Sequence, residues 1–247
     1  MALFRFIPYR LRGEHVNWPL VVSLALLAVL FASVSLVNHY CFRSSALDYG
    51  FYCHGVYQYA HGELARMTLI EPRGELQLTD HFAIWPLLVS PLWWVLGSYT
   101  LLVVQLAFIL LGLWGCYRLV VQEDGRAEVA TLSVWFMGLS WGVLSALAFD
   151  YHDNVLAAML LPWLAWAVRN RRRGLMLLCF GGMLLAKENQ GIWLFFVCGA
   201  LAFVFAPDRR TRLTCLALSG AALLAFVLTL KVIVPALYAE SRPYGHS

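Results

Sequence analysis

The chain has 247 residues, of which 61% are hydrophobic and 13% are charged, and its mean hydropathy is +0.70. Soluble domains carry about 45–50% apolar and about 25% charged residues, so this chain cannot cover its own surface in water. Its formal net charge of +4 comes without a stripe of Lys and Arg interleaved with aromatic residues, which argues against a nucleic-acid partner and leaves membrane lipid as the expected environment.

The chain begins with a basic segment, residues 1–12, followed by an apolar run from Trp18 to Val37. That order resembles a signal peptide, but the run is long and no small-residue cleavage site follows it. We therefore expect a retained first membrane span.

Seven further apolar stretches follow, and a full crossing of the bilayer needs ~20 apolar residues. Stretch 82–96 has two prolines, Pro86 and Pro91, within only 15 residues. Proline breaks helices, so we predict a re-entrant or interfacial element there rather than a span. The stretches are 82–96, 99–121, 129–149, 155–168, 174–186, 191–206 and 213–236.

The placement of basic residues predicts the orientation, because cytoplasmic loops of membrane proteins are enriched in Lys and Arg. With 82–96 kept outside, 12 of the 18 basic residues fall on the cytoplasmic side: Arg5, Arg10, Arg12, Arg118, Arg126, Arg169, Arg171, Arg172, Arg173, Arg209, Arg210 and Arg212. We predict an all-α bundle of about seven spans, a single domain over 1–247, with a cytoplasmic N-terminus. Only helices satisfy the backbone of such unalternating runs in lipid.

The polar segment 38–97 is then a large outer loop. Its aromatic residues and the closing Gly62 predict a short amphipathic helix on the membrane surface. Asp48 lies at the start of this helix. It could be a general base or a metal-binding carboxylate, or Ser45-x-x-Asp48 could be a capping box that satisfies the helix N-terminus. His54, Gln58 and His61 share one face, where they either bind a ligand or meet water.

Asp and His occur together at two places on the predicted outer side. One is Asp80-His81, and the other is the segment Asp150-Tyr151-His152-Asp153. A carboxylate beside an imidazole can orient its tautomer or share a metal, although solvation at the interface is the simpler interpretation. The recurrence of the pairing on one side favours a functional site.

Lys187 and Glu188 form a charged turn between two apolar stretches. Residues 174–206 must cross twice with only about 16 residues each, so this turn should lie below the outer surface. The two side chains could form an internal ion pair within a hairpin, or Lys187 could bind a phosphate group.

An ordered series of motifs, taken together, resembles the bacterial and archaeal membrane proteins grouped as domain of unknown function 2079. The motifs are Leu47-Asp48-Tyr49-Gly50, Tyr59-Ala60-His61-Gly62, Asp80-His81-Phe82, Gln105, Ala148-Phe149-Asp150-Tyr151-His152 and Ala186-Lys187-Glu188-Asn189.

That family in turn looks similar to the GT-C superfamily of membrane glycosyltransferases, which implies a bacterial or archaeal cytoplasmic membrane and sugar transfer from a polyprenyl-phosphate donor on its outer face. The resemblance matches Asp48 to a catalytic first-loop Asp, His81 to a histidine that opens the surface segment, and Asp150 or Asp153 to a second-loop acid. Lys187 matches a basic residue beside the donor phosphate. The sequence departs from the superfamily pattern at Asp48-Tyr49, where Asp-Glu is usual.

In this mechanism Asp48 would deprotonate the acceptor, and Asp150, Asp153 and the histidines, among them His81 and His152, would orient it or hold a divalent cation. His54 and Glu188 are further candidates for binding substrate. Two alternatives remain open, namely a transporter or lipid flippase and a non-catalytic assembly protein. The chain could also be the N-terminal module of a longer protein.

Overall fold

The computed structural model describes residues 17–68 and 75–241, and every regular element within them is a helix or a helical turn. The predicted basic N-terminus with Arg5, Arg10 and Arg12 lies outside the described residues. The helices are α1 Trp18–Tyr40, α2 Asp48–Ala60, α3 Gln77–Asp80, α4 Trp85–Val89, α5 Trp93–Leu96, α6 Thr100–Asp124, α7 Ala127–Gly138, α8 Trp141–Ala148, α9 Asp153–Arg169, α10 Arg173–Leu184, α11 Gln190–Val204, α12 Arg209–Leu228 and α13 Val234–Ser241.

These bounds follow the apolar stretches of the sequence closely, which confirms the all-α class. Among the described residues, three helical segments are long and apolar enough to cross a membrane: Trp18–Tyr40, Trp85–Asp124 and Arg209–Ala239. A fourth crossing arises if α7 and α8, bent by 44°, count as one span. The other apolar helices are shorter, with 17 residues in α9, 12 in α10 and 15 in α11. The predicted number of seven spans is therefore not confirmed.

The segment before α6 folds back on that helix. The ring of Trp85 in α4 lies 4.9 Å from the ring of Phe108 in α6. In one continuous helix, 23 positions of chain would separate them by about 34 Å. The chain reverses near Gly97, whose φ of +54° is unusual for any residue with a side chain. The break in 82–96 is thus confirmed, while its depth in a bilayer stays a prediction.

Helices α6 and α9 pack closely because small residues line the contact. A Cβ atom at Gly112 would lie 2.8 Å from the Cβ of Met159, and one at Gly115 would lie 2.7 Å from the Trp163 ring. Small residues at helix contacts let backbones approach in this way.

The ends of this helix pair hold opposite kinds of charge. At one end, Gln105 of α6 contacts the turn at Asp150. At the other end, Arg169 of α9 makes an ion pair of 2.7 Å with Glu123 of α6. The 18 positions from Gln105 to Glu123 rise about 27 Å along the helix, close to the thickness of a hydrocarbon core. The acidic and arginine-rich turns therefore lie at opposite ends of the bundle.

Aromatic and aliphatic side chains hold α2 against the bundle. Tyr49 and Val56 of α2 are buried with Leu102 of α6 and with Tyr151 and Leu156 at the start of α9. This cluster seats the first loop on the ends of α6 and α9. It places the turn before α2 beside the turn before α9.

Candidate functional site

Gln105 organises the turn that precedes α9. Its side chain is completely buried, its Nε2 donates to the carbonyl oxygen of Asp150 at 2.7 Å, and its Oε1 accepts from the backbone N–H of His152 at 2.8 Å. Asp150 adopts a φ of +93°, which costs free energy unless the surroundings impose it. From the sequence, Gln105 was included in the ordered series of family motifs, but no role was predicted for it. The signal that could have revealed its role was a glutamine inside an apolar run.

Asp150 joins the first polar loop to the turn before α9. Its carboxylate accepts the backbone N–H of Ser45 at 2.7 Å, and the residue is 8% exposed. Burial raises the pKa of Asp150 above its usual range, although the Ser45 N–H opposes this change. The turn that carries Asp48 and the turn that carries Asp150 are thus connected directly.

Asp48 makes part of the predicted capping arrangement and also lies beside the site. The hydroxyl of Ser45 accepts the backbone N–H of Asp48 at 3.0 Å and donates to its carboxylate at 3.2 Å. In a full capping box the carboxylate would accept the N–H of Ser45, which here goes to Asp150. Asp48 remains exposed and interacts electrostatically with Asp150 and His152.

Asp153 is a buried carboxyl group with unused bonding capacity. It is 2% exposed, and Oδ1 accepts a hydrogen bond of 2.5 Å from the hydroxyl of Tyr151. Oδ2 is buried without a hydrogen-bond partner among the described residues. Burial raises the pKa of Asp153 to about 6, against the opposing influence of Tyr151, Tyr52 and Lys187. This group can exchange a proton near neutral pH.

His81 and Glu188 form the contact between the first polar loop and the α10–α11 turn. Nδ1 of His81 lies 3.3 Å from Oε1 of Glu188, while the backbone N–H of Phe82 donates to Oε2 at 2.9 Å. The hydrogen bond to Glu188 raises the pKa of His81. Burial alone would raise the pKa of Glu188, but the bonds from His81 and Phe82 lower it below its usual value. An internal Lys187–Glu188 ion pair was one of two interpretations of this turn; in the described residues Glu188 bonds His81 and Phe82 instead.

Lys187 lies near three of the site residues that were predicted from the sequence. Its half-buried ammonium group interacts electrostatically with Asp153, His81 and His152. Burial lowers the pKa of His152, and the positive charge of Lys187 lowers it further. The chain thus brings the turns before α9 and α11 and the segment before α4 together. The group that they form is called the ionisable centre below, and it consists of His81, Asp150, His152, Asp153, Lys187 and Glu188.

His54, Gln58 and His61, which the sequence predicts to share one face, have different surroundings. Nε2 of His54 lies 3.3 Å from the hydroxyl of Thr68, and buried Gln58 accepts the backbone N–H of Arg66 at 2.8 Å. His61 is exposed after the helix end. Among the residues that the structure describes, no three His, Cys, Asp or Glu side chains could hold a metal ion.

A shallow depression of about 500 Å³ lies at the edge of the ionisable centre. His152 forms its polar side, and the ring of this residue stacks on Phe149 at 5.0 Å. The remaining lining residues are small: Ser145, Ala146 and Ala148. The depression offers an apolar chain a position beside His152.

The helices and the ionisable centre together define an α-helical membrane protein with three to four candidate spans in the part of the chain that the structure describes, and with a polar site at one end of the bundle. Residues 38–247 match the model of the family described as predicted membrane protein, domain of unknown function 2079, and the chain belongs to this family. No curated protein and no solved structure matches the chain.

Proposed function

We propose that this protein transfers a sugar from a polyprenyl-phosphate donor at the ionisable end of the bundle. The observation that carries the proposal is the contact between the two outer turns, because Ser45 N–H binds Asp150 and thereby sets Asp48 beside Asp150 and His152. Carboxylates at such a position can accept a proton from an acceptor hydroxyl. The implied resemblance to GT-C enzymes supports the same role for Asp48.

The proposed step uses four groups of this chain. Asp48 takes the proton from the acceptor hydroxyl, whose oxygen forms a bond to the anomeric carbon. The bond from that carbon to the phosphate oxygen breaks, and its electron pair leaves with the polyprenyl phosphate. Lys187 stabilises the phosphate charge, and Asp150 with His152 orients the acceptor.

The lipid part of the donor requires an apolar path to this centre. The depression beside Phe149 and His152 provides one, since Phe149 is 53% exposed and its neighbours are small. A polyprenyl chain that lies against Phe149 brings its phosphate towards His152. Transfer of a lipid-linked sugar thus accounts for a polar centre next to an open apolar surface.

We further propose that the protein crosses a bacterial or archaeal cytoplasmic membrane several times, with its N-terminus in the cytoplasm and the ionisable centre outside. The arginine-rich turns at the far end of α6 and α9 support this orientation. Reporter fusions after Arg171 and after Asn154 should report opposite compartments. Fusions that report the same compartment would contradict the proposed arrangement.

The direct test is transfer by the purified protein from polyprenyl-phosphate mannose and polyprenyl-phosphate aminoarabinose to lipid acceptors of the host. Asp48→Asn should lower the rate by about 10²-fold or more, since general base catalysis contributes that much. Asp124→Asn is the matched control, because Asp124 pairs with Arg126 at the opposite end of α6. Full activity of Asp48→Asn would exclude Asp48 as the base. Absence of transfer from either donor would contradict the proposal for these two sugars.

Transport is a second candidate, because Asp153 is an ionisable group that is only 2% exposed inside the bundle. Buried ionisable groups also occur along ion and substrate paths. In a cysteine-free background, a Cys at exposed Asn154 separates the two functions. Labelling from both sides of the membrane would favour a transporter or flippase, and labelling from one side would favour the enzyme. An unchanged phenotype after replacement of Asp48, His81 and Asp150 together would favour an assembly protein.

A further inference from the structure

Two arginine-rich turns at the end of the bundle opposite the ionisable centre form one surface. Their sequences, 169–173 and 207–212, contain seven arginines and a single acid, Asp208. The Nε of Arg171 lies 2.7 Å from Oδ2 of Asp208, so an ion pair joins the α9–α10 turn to the start of α12. The arginine surface is defined here as Arg171, Arg172, Arg173, Arg209, Arg210 and Arg212.

The ion pair occupies the single acid of the two turns and leaves most of the positive charge available. Asp208 also accepts the backbone N–H of Thr211 at 2.8 Å, which fixes it as the N-cap of α12. Arg172 and Arg173 are exposed on one side of this contact, and Arg209 and Arg210 are exposed on the other. The surface is therefore strongly cationic.

Exposed apolar side chains border the same surface. Phe203 and Val204 at the end of α11 are 70% and 73% exposed, and Leu178 in α10 is 71% exposed. Arg212 connects the two kinds of surface, because its Nε donates to the carbonyl oxygen of Ala202 at 3.2 Å and its guanidinium lies 6.0 Å from the Phe203 ring. Cationic groups thus sit where apolar helices end.

We propose that the arginine surface binds the phosphate headgroup of an anionic phospholipid whose acyl chains lie on Phe203, Val204 and Leu178. A guanidinium group can bind a phosphate through two parallel hydrogen bonds, and arginine is only weakly hydrated, which favours binding at an interface. Basic residues at the end of a membrane helix attract anionic lipid in the adjacent leaflet. This binding site is separate from the ionisable centre and does not depend on sugar transfer.

Native mass spectrometry of the purified protein in detergent micelles tests the proposal. The probes are phosphatidylglycerol and phosphatidylcholine with identical acyl chains. The test variant is Arg209→Gln/Arg210→Gln. The matched control, Arg43→Gln/Lys231→Gln, removes the same charge from exposed positions near the opposite end.

The wild type and the control should bind phosphatidylglycerol equally and in preference to phosphatidylcholine. The test variant should bind it about 25-fold more weakly, because each of the two basic residues contributes about a factor of five. Its melting temperature without added lipid should remain that of the wild type, since both side chains are exposed. Equal binding by the test variant and the control would overturn the proposal, and so would equal affinity for the two lipids. Full displacement of the lipid by millimolar inorganic phosphate would overturn the role of the acyl chains.

Discussion

The backbone N–H of Ser45 donates to the carboxylate of Asp150 at 2.7 Å, across 105 positions of the chain. The hydroxyl group of Ser45 also accepts the backbone N–H of Asp48, the first residue of α2. Asp150 is in turn held by Gln105 through its carbonyl oxygen. Ser45 is therefore held by Asp150, and Asp150 is held by Gln105 of α6.

Two replacements of Asp150 should show how much its carboxylate bond and its unusual backbone conformation each contribute to stability. Asp150→Ala leaves the Ser45 N–H without its acceptor and places a Cβ-bearing residue without a local hydrogen bond at φ +93°. We expect the free energy of unfolding in mixed micelles to fall by about 2–4 kcal/mol. Asp150→Asn keeps an acceptor oxygen and a residue type that tolerates positive φ, so its loss should be smaller. Equal losses for the two variants would contradict the assigned bond.

Gln105→Leu should loosen the turn that carries the site. It removes both bonds to the backbone of Asp150 and His152, and each buried backbone group left unpaired costs about 1–3 kcal/mol. Amide hydrogen exchange in residues 149–153 should become faster. Gln122→Leu is the control on the same helix, because Gln122 bonds Asn170 at the other end. The assignment fails if both variants change exchange in 149–153 equally.

Gly115→Ala should disturb the contact between α6 and α9. The added Cβ would lie 2.7 Å from atoms of the Trp163 ring, so the ring must give up its hydrogen bond to the Leu111 carbonyl oxygen or the two helices must separate. Overpacking of this kind costs about 1–3 kcal/mol. Gly220→Ala in α12 meets no atom within 4 Å and should leave the melting temperature unchanged or raise it slightly. A neutral Gly115→Ala variant would show that the contact is not tightly packed.

The His81–Glu188 pair should make stability depend on pH in a defined way. The pKa of His81 is raised above 6.5, so its contribution is complete below pH 6.5 and is lost as pH rises through the raised value. The pKa of Glu188 is lowered below 4.5, so its contribution is present above pH 4.5 and is lost as pH falls through the lowered value. The pair should stabilise most between about pH 4.5 and 6.5.

The measurement is the melting temperature against pH for wild type and Glu188→Gln. The difference between the two should be largest inside that window. The corresponding difference in the free energy of unfolding should stay below about 1 kcal/mol, because the side chain of His81 is 39% exposed and solvent screens the pair. A difference that is independent of pH would mean that Glu188 stabilises the fold through its bond to Phe82 alone.

Much of the fold could be predicted because the apolar runs have a length and composition that only helices in lipid can satisfy. The bounds of α1, α6 and α12 follow those runs, and the prolines of 82–96 indicated the break before α6. The sequence also located the charged turns, since ionisable residues are rare in such a chain. The count of spans could not be predicted in the same way, because α10 and α11 are too short for their hydropathy to decide whether they cross.

Which charged groups meet was decided by the tertiary structure. The sequence left open whether Lys187 pairs with Glu188 or binds a phosphate. In the folded chain Glu188 bonds His81, because the segment 81–84 runs against the α10–α11 turn. The role of Gln105 was equally hidden, since its partners are backbone atoms that lie 45 and 47 positions away. Sequence patterns report hydrophobicity and local spacing. Contacts between distant turns depend on how the helices pack, and only the folded chain fixes them.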